Sequence, residues 1–190
     1  MIDKTLKFLA DQINSYIKRK TGSATFGQVV LKPVVNQDGH LELDNNSLGM
    51  SLINFDEEYT LKQPINYKRT DDNKVFMTNP AIHLNLIVMV VAHFSSYEEA
   101  LKFISMVIMY FQNNPVFDKE RQPQFDLPGI EELRVKLQPI SLENINQIWM
   151  ALGAKHMPSV SFKVSIAVLN EEEETELPAV KSMEPQMEKL

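Results

Sequence analysis

The sequence contains no cysteine, which excludes disulfides, thiolate nucleophiles and cysteine-ligated zinc or iron–sulfur sites together. Histidine is scarce as well, with four in 190 residues and no two at ligand spacing. His83 and His93 share a strand face, but ten residues of strand hold them roughly 33 Å apart, too far to ligate one ion within a subunit. Long apolar runs are missing. The longest, 82–94, is broken by His83, Asn85 and His93 and is shorter than the roughly 20 residues that span a bilayer. The first nine residues carry Asp3, Lys4 and Lys7 where a signal peptide needs an uninterrupted apolar core. A soluble protein made in the cytoplasm, with no membrane partner, is the expectation.

Positive charge is in short supply. The net charge is −6, and the residues after Leu169 hold seven Glu against Lys181 and Lys189, a net −5, which leaves the body at −1. A nucleic-acid binder concentrates Lys and Arg on one face to neutralise phosphates. Here the basic cluster is Lys18, Arg19 and Lys20, at the end of a helix where cations favour the negative dipole end. Nucleic acid is not an expected partner.

What the chain does contain is apolar periodicity. Ile2, Leu6, Leu9, Ile13 and Ile17 recur at spacings of three and four, with Gly22 just beyond, and predict an amphipathic first helix. Residues 29–35 read as a strand that Pro33 places at an edge or bulge, followed by a turn at 36–39 and a short strand at 41–43. A strand over 49–61 leads to a polar loop over 63–79 with Asp71, Asp72 and Asn73 at its tip. Residues 81–94 carry apolar side chains on both faces, Leu84 and Leu86 on one and Ile87, Met89 and Val91 on the other, so this strand belongs at the centre of a sheet covered on both sides.

The helix predicted over 97–112 has more apolar surface than one core requires. Ser96 and Glu99 form a capping box at its start. Tyr97, Ala100, Leu101, Ile104, Val107, Ile108 and Phe111 fill one stripe, and Phe103, Met106, Met109 and Tyr110 add bulk elsewhere, so a second surface, within the domain or on a neighbouring subunit, must cover them. A loop over 113–129 precedes a strand over 132–139 with one wet face. A short helix over 142–152 is capped by Ser141 and closed by Gly153, with Trp149 as its core anchor. The last strand runs over 160–169. Residues 170–190 form an acidic tail whose composition cannot repay its ordering entropy, leaving 1–169 as the domain.

Sites of chemistry are hard to find. Residues 22–27 have glycines at phosphate-loop spacing but lack the following Lys-Ser/Thr, and the turn at Gly39 puts Val34 and Asn45 at positions where a calcium loop needs carboxylates. Asp56 and Glu58 project from one strand face as paired carboxylates do in acid–base catalysis, yet nothing in the sequence supplies a partner for them, and a polar interface is the simpler use. No catalytic residue, metal or cofactor is expected.

Five segments, in their order and spacing, carry a resemblance: 52–58 (Leu-Ile-Asn-Phe-Asp-Glu-Glu), 79–86 (Asn-Pro-Ala-Ile-His-Leu-Asn-Leu), 96–101 (Ser-Tyr-Glu-Glu-Ala-Leu), 111–117 (Phe-Gln-Asn-Asn-Pro-Val-Phe), and Trp149 through 155–160 (Lys-His-Met-Pro-Ser-Val). Over 1–169 the chain resembles the tail-terminator, or cap, proteins of extracellular contractile injection systems of the virulence-cassette and antifeeding-prophage type. The resemblance implies an α/β (α+β) fold, with a central mixed, largely antiparallel sheet flanked by helices as in phage tail terminators. It also implies a ring of six subunits on the inner tube, distal to the baseplate, that contacts inner tube protein and sheath protein and ends the growth of both. A second cap paralogue is a further candidate partner. On this reading the interface candidates are Asp56, Glu58, Phe103, Met106 and Tyr110, with Asn170, Glu171 and Glu172 in the tail, while Leu84, Leu86, Tyr97 and Trp149 anchor the core. The last strand and tail would reach sheath by strand addition. The alternatives are an adaptor of another phage-tail-like particle, or an enzyme with a pocket around Asp56, Glu58 and His83.

Overall fold

The computed structural model describes residues 1–58, 66–69, 75–78, 82–168 and 175–177. Helix α1 (Ile2–Thr21) buries Leu6, Leu9, Ala10, Ile13 and Ile17 along one stripe and ends where Gly22, at φ 73°, turns its N–H back to Lys18 O. From its middle, the Asn14 side chain accepts the Val29 N–H at 2.7 Å and donates to the Val29 carbonyl at 2.9 Å. Both backbone groups of that residue are thereby satisfied at the outer side of strand β1 (Val29–Leu31), an edge strand. The strand expected over 29–35 stops at Leu31. Val35 and Leu41 form only an isolated bridge around the 36–39 turn, and 41–43 is not a strand.

The remaining elements are β2 (Ser47–Glu57), β3 (Asn66–Arg69), β4 (Val75–Thr78), β5 (Ile82–His93), α2 (Tyr97–Asn113), β6 (Val116–Asp118), β7 (Ile130–Leu137), α3 (Leu142–Leu152), β8 (Ser159–Val168) and β9 (Thr175–Leu177). Six strands form one sheet in the order β1-β2-β5-β8-β7-β6, antiparallel except for the parallel pair β1 and β2. Strand β5 is central and buried on both faces, as its double apolar pattern predicts. Leu86, Val88 and Val90 join the larger core with α1 and α2, and Met89 and Val91 join a smaller one with Trp149 of α3, Val34 and Leu43. The fold is α+β, a mixed sheet with three helices.

Helix α2 sits differently from its expected stripe. Ser96 Oγ accepts the Glu99 N–H at 3.4 Å, one half of the capping box, while the Glu99 carboxylate lies 3.4 Å from Lys102 Nζ. The buried residues are Ala100, Phe103, Ile104, Val107, Tyr110 and Phe111. Phe103, expected on the second surface, is 1% exposed, stacked on Phe94 at 4.9 Å and edge-on to Phe26 at 5.5 Å. The approach requires Gly27, at φ 77°: a Cβ there would lie 1.9 Å from the Phe103 ring. Tyr97, expected as a core anchor, is 69% exposed, because the helix is rotated to bury 103 and 110 instead.

Three further departures concern the sheet margins. Where composition predicts a polar loop over 63–79, β3 and β4 pair antiparallel, Asn66 opposite Thr78; the expected tip, Asp71 to Asn73, lies outside the described residues. In the predicted tail, β9 pairs with β4 to complete a three-stranded sheet, β3-β4-β9. Within the 113–129 loop, β6 pairs with β7. Strand β8 has partners on both sides, β5 and β7, so it is closed to strand addition. The strand addition expected of β8 is corrected for that reason: its backbone hydrogen bonds are already spent inside the subunit.

The burial of Phe103 sets an expectation for stability. Phe103→Ala should cost about 3–5 kcal/mol, whereas Tyr97→Ala should stay within about 0.5 kcal/mol, as read by denaturant unfolding. The reverse ranking would contradict the observed rotation of α2.

Candidate functional surfaces

Toward the Ile82 end of β5, on the face that carries α3 further along, strand residues alternate outward into a polar cluster. Asn85 of β5 is 3% exposed, a costly place for an amide unless both of its ends are bonded. Ser165 Oγ of β8 donates to Asn85 Oδ1 at 2.8 Å, and Asn85 Nδ2 donates to Glu58 Oε2 at 3.1 Å. Lys163 Nζ lies 3.6 Å from the same carboxylate oxygen. The chain satisfies the buried amide with a carboxylate and the carboxylate with a cation, a ladder across β5 and β8 just beyond the end of β2. A cleft of about 490 Å³ opens above it, lined by His83, Arg134 and Lys136 among others.

This arrangement does not bring the paired carboxylates together. Asp56 is exposed opposite Asn85 in the β2–β5 register and does not line the cleft, whereas Glu58 does. Among the described residues no three His, Asp or Glu side chains converge as metal ligands. The cluster is an internal polar brace that aligns three strands, and the sequence signal for it is faint: an Asn and a Ser on strand faces that only the register juxtaposes.

The second surface is apolar. Tyr97 and Leu101 of α2, Leu137 at the end of β7, and Leu142 at the start of α3 are all exposed and line a groove of about 580 Å³ whose floor includes Ile104. Of the residues expected at an interface, Phe103 and Tyr110 are buried in the subunit itself and Met106 is half-buried against the same core, so the outward apolar groups of α2 are Tyr97, Leu101 and Met109. Leu84 and Leu86 pack as core residues, as does Trp149, whose ring lies 5.4 Å from that of His156. Among the described residues no acceptor reaches the buried Trp149 Nε1. Asn170, Glu171 and Glu172 lie outside the described residues.

A model of the Pvc16 N-terminal domain matches residues 4–182. The chain belongs to this family. Its fold is shared by a sheath/tube terminator from the PVC extracellular contractile injection system, determined by cryo-EM in the extended state, at 15% identity and a TM-score of 0.55 over 94% of this chain and 64% of that one. It is shared also by the anti-feeding prophage cap, a tube terminating cap, at 14% identity and a TM-score of 0.56 over 92% of this chain and 60% of that one. The chain thus spans less than two thirds of the length of either structure. No curated protein matches the sequence. The shared architecture is the six-stranded sheet with its three helices, so the family assignment and the fold agree.

Tyr110 supplies a test of the burial on α2. Burial pushes its phenol up from 10.0 to about 12, with Arg19 pulling the other way, and its hydroxyl lies 3.4 Å from Gln12 Oε1. A value raised by folding means that the protonated form is favoured in the native state, so its contribution is complete below pH 10.0 and lost as the pH climbs toward about 12. The denaturant midpoint should fall across that window, and Tyr110→Phe should flatten the fall. An unchanged slope in the variant would show that the phenol is not held protonated.

Proposed function

We propose that the protein is the structural cap, or tail terminator, of a contractile injection system: a ring that ends growth of the inner tube and sheath at the end distal to the baseplate. The observation that carries this reading is the family match over 4–182, joined by the fold shared with two terminators. A closed ring of six identical subunits is part of the proposal, as are contacts with inner tube and sheath proteins and the company of a second cap paralogue.

The physical demands on such a molecule fit what the chain offers. Tube and sheath grow by stacking rings, so a terminator must hold the last ring with one surface and present no template for the next on the other. The edge strands are short, three residues each in β1 and β6, and Asn14 occupies the outer groups of Val29. Outward apolar groups concentrate where α2, β7 and α3 meet, the kind of patch that subunits bury against each other. The polar cleft, by contrast, joins Glu58, Asn85, Lys163 and Ser165 to one another, an arrangement that braces strands. That pairing supports a non-catalytic reading.

Cells lacking the protein should assemble tubes and sheaths of uncontrolled, mostly greater length. Antibody against the protein should mark one particle end, opposite the baseplate, in electron micrographs. Particles of normal length without it, or label along the tube, would defeat the proposal.

A further inference from the structure

The two lateral margins of the six-stranded sheet match each other. Strand β1 pairs only with 48–50 of β2, so among the described residues no strand lies outside β2 at Phe55 and Asp56. At the far side, β6 pairs only with 132–134 of β7, and no described strand lies outside Lys136 and Leu137. Phe55 is 57% exposed and Leu137 54%, large apolar groups placed at open strand margins. Through the register, Phe55 aligns with Leu86 and Leu137 aligns through Phe162 with Val88, so both side chains project on the α1/α2 face, two residues apart in level. Asp56 and Lys136, their neighbours, project on the opposite face, and neither has an ion-pair partner among the described residues. Lys136 stands directly opposite Lys163 in the ladder, a like-charge pair in which Lys163 is matched by Glu58 and Lys136 is left over.

Direction completes the match. From β2 through β5 and β8 to β7 every pairing is antiparallel, so β7 runs opposite to β2, and the two margins lie three strand spacings, about 14 Å, apart. If a second copy is translated sideways, its β7 meets the β2 of the first antiparallel. One register then sets Phe55 opposite Leu137 on one face and Asp56 opposite Lys136 on the other.

We propose, resting on the ring reading, that neighbouring subunits join head to tail along these margins, with Phe55 and Asp56 of one copy against Leu137 and Lys136 of the next. The contact is heterologous, so a repeated rotation closes it into a ring and continues the sheet from subunit to subunit. The occupant of the open margin is a second copy of this chain, selected by one apolar pair and one opposite-charge pair in the same register.

The absence of cysteine makes the test clean. Directly opposed residues on antiparallel strands have Cα atoms about 4.5–5.5 Å apart, within disulfide reach. The full chain carrying Phe55→Cys and Leu137→Cys together should give, on mild oxidation, a covalent ladder that closes at the ring size, both in purified protein and in particles. Each single substitution should give none. Independently, Asp56→Lys or Lys136→Asp alone should weaken self-association about tenfold, and the two combined should restore it. A paired-cysteine protein that stays monomeric under oxidant in both settings, or a charge swap that fails to restore association, overturns the contact. Protein found at tube ends without a ladder would sink this contact while leaving the cap reading; a ladder from protein absent from tube ends would do the opposite.

Discussion

Strand β5 has apolar side chains on both faces, and neither face can be left to water. At about 25 cal/mol per Å² of apolar area removed from solvent, that requirement outweighs any local preference of the surrounding segments. It is met by the long strands β2 and β8 on either side and by two separate cores, one under α1 and α2 and the other under Trp149 of α3. The three helices have their places because β5 needs cover on two sides.

That cover decides how α2 is turned. Two apolar stripes are available on the helix, and the one holding Phe103, Val107 and Tyr110 packs inward because it engages two sets of rings, Phe103 with Phe94 and Phe26, and Tyr110 with Tyr16 and Phe111. Tyr97 and Leu101 are the remainder, turned outward beside Leu137 and Leu142. An exposed apolar surface in this molecule is therefore a consequence of how its core is filled. Similarly, Asn85 is buried because the strand that carries it must be central, and Ser165, Glu58 and Lys163 are recruited to satisfy it.

Much of the fold is legible in the residues. Helix α3 is marked at both ends by Ser141 and Gly153, and α1 by its apolar spacing and by Gly22 at its end, because capping is a local interaction between residues three or four apart. The central place of β5 is legible for the same reason, its pattern needing no knowledge of partners. The hairpin of β3 and β4 and the strand β9 are hard to read: Tyr67, Val75, Phe76 and Met77 favour strand but form short runs among polar and acidic neighbours, and the partner of β9 is distant in the chain. The surface residues divide likewise. Asp56 is outward as its position on β2 predicts, while Phe103 and Tyr110 are inside, since periodicity cannot say which of two apolar stripes a core will take.

The residues alone determined that this is a cysteine-free α+β chain with a doubly apolar central strand and no assembled catalytic motif. Only the tertiary structure decided that β8 is closed between β5 and β7, that the open margins fall at Phe55 and Leu137, and that Asn85 draws a carboxylate and a cation to itself. The division has one cause. Spacing and capping act over a few residues and are written directly in the chain, whereas strand order and register join segments from 14 to 86 positions apart in the six-stranded sheet, where the competition among many partners is resolved by burial of the whole.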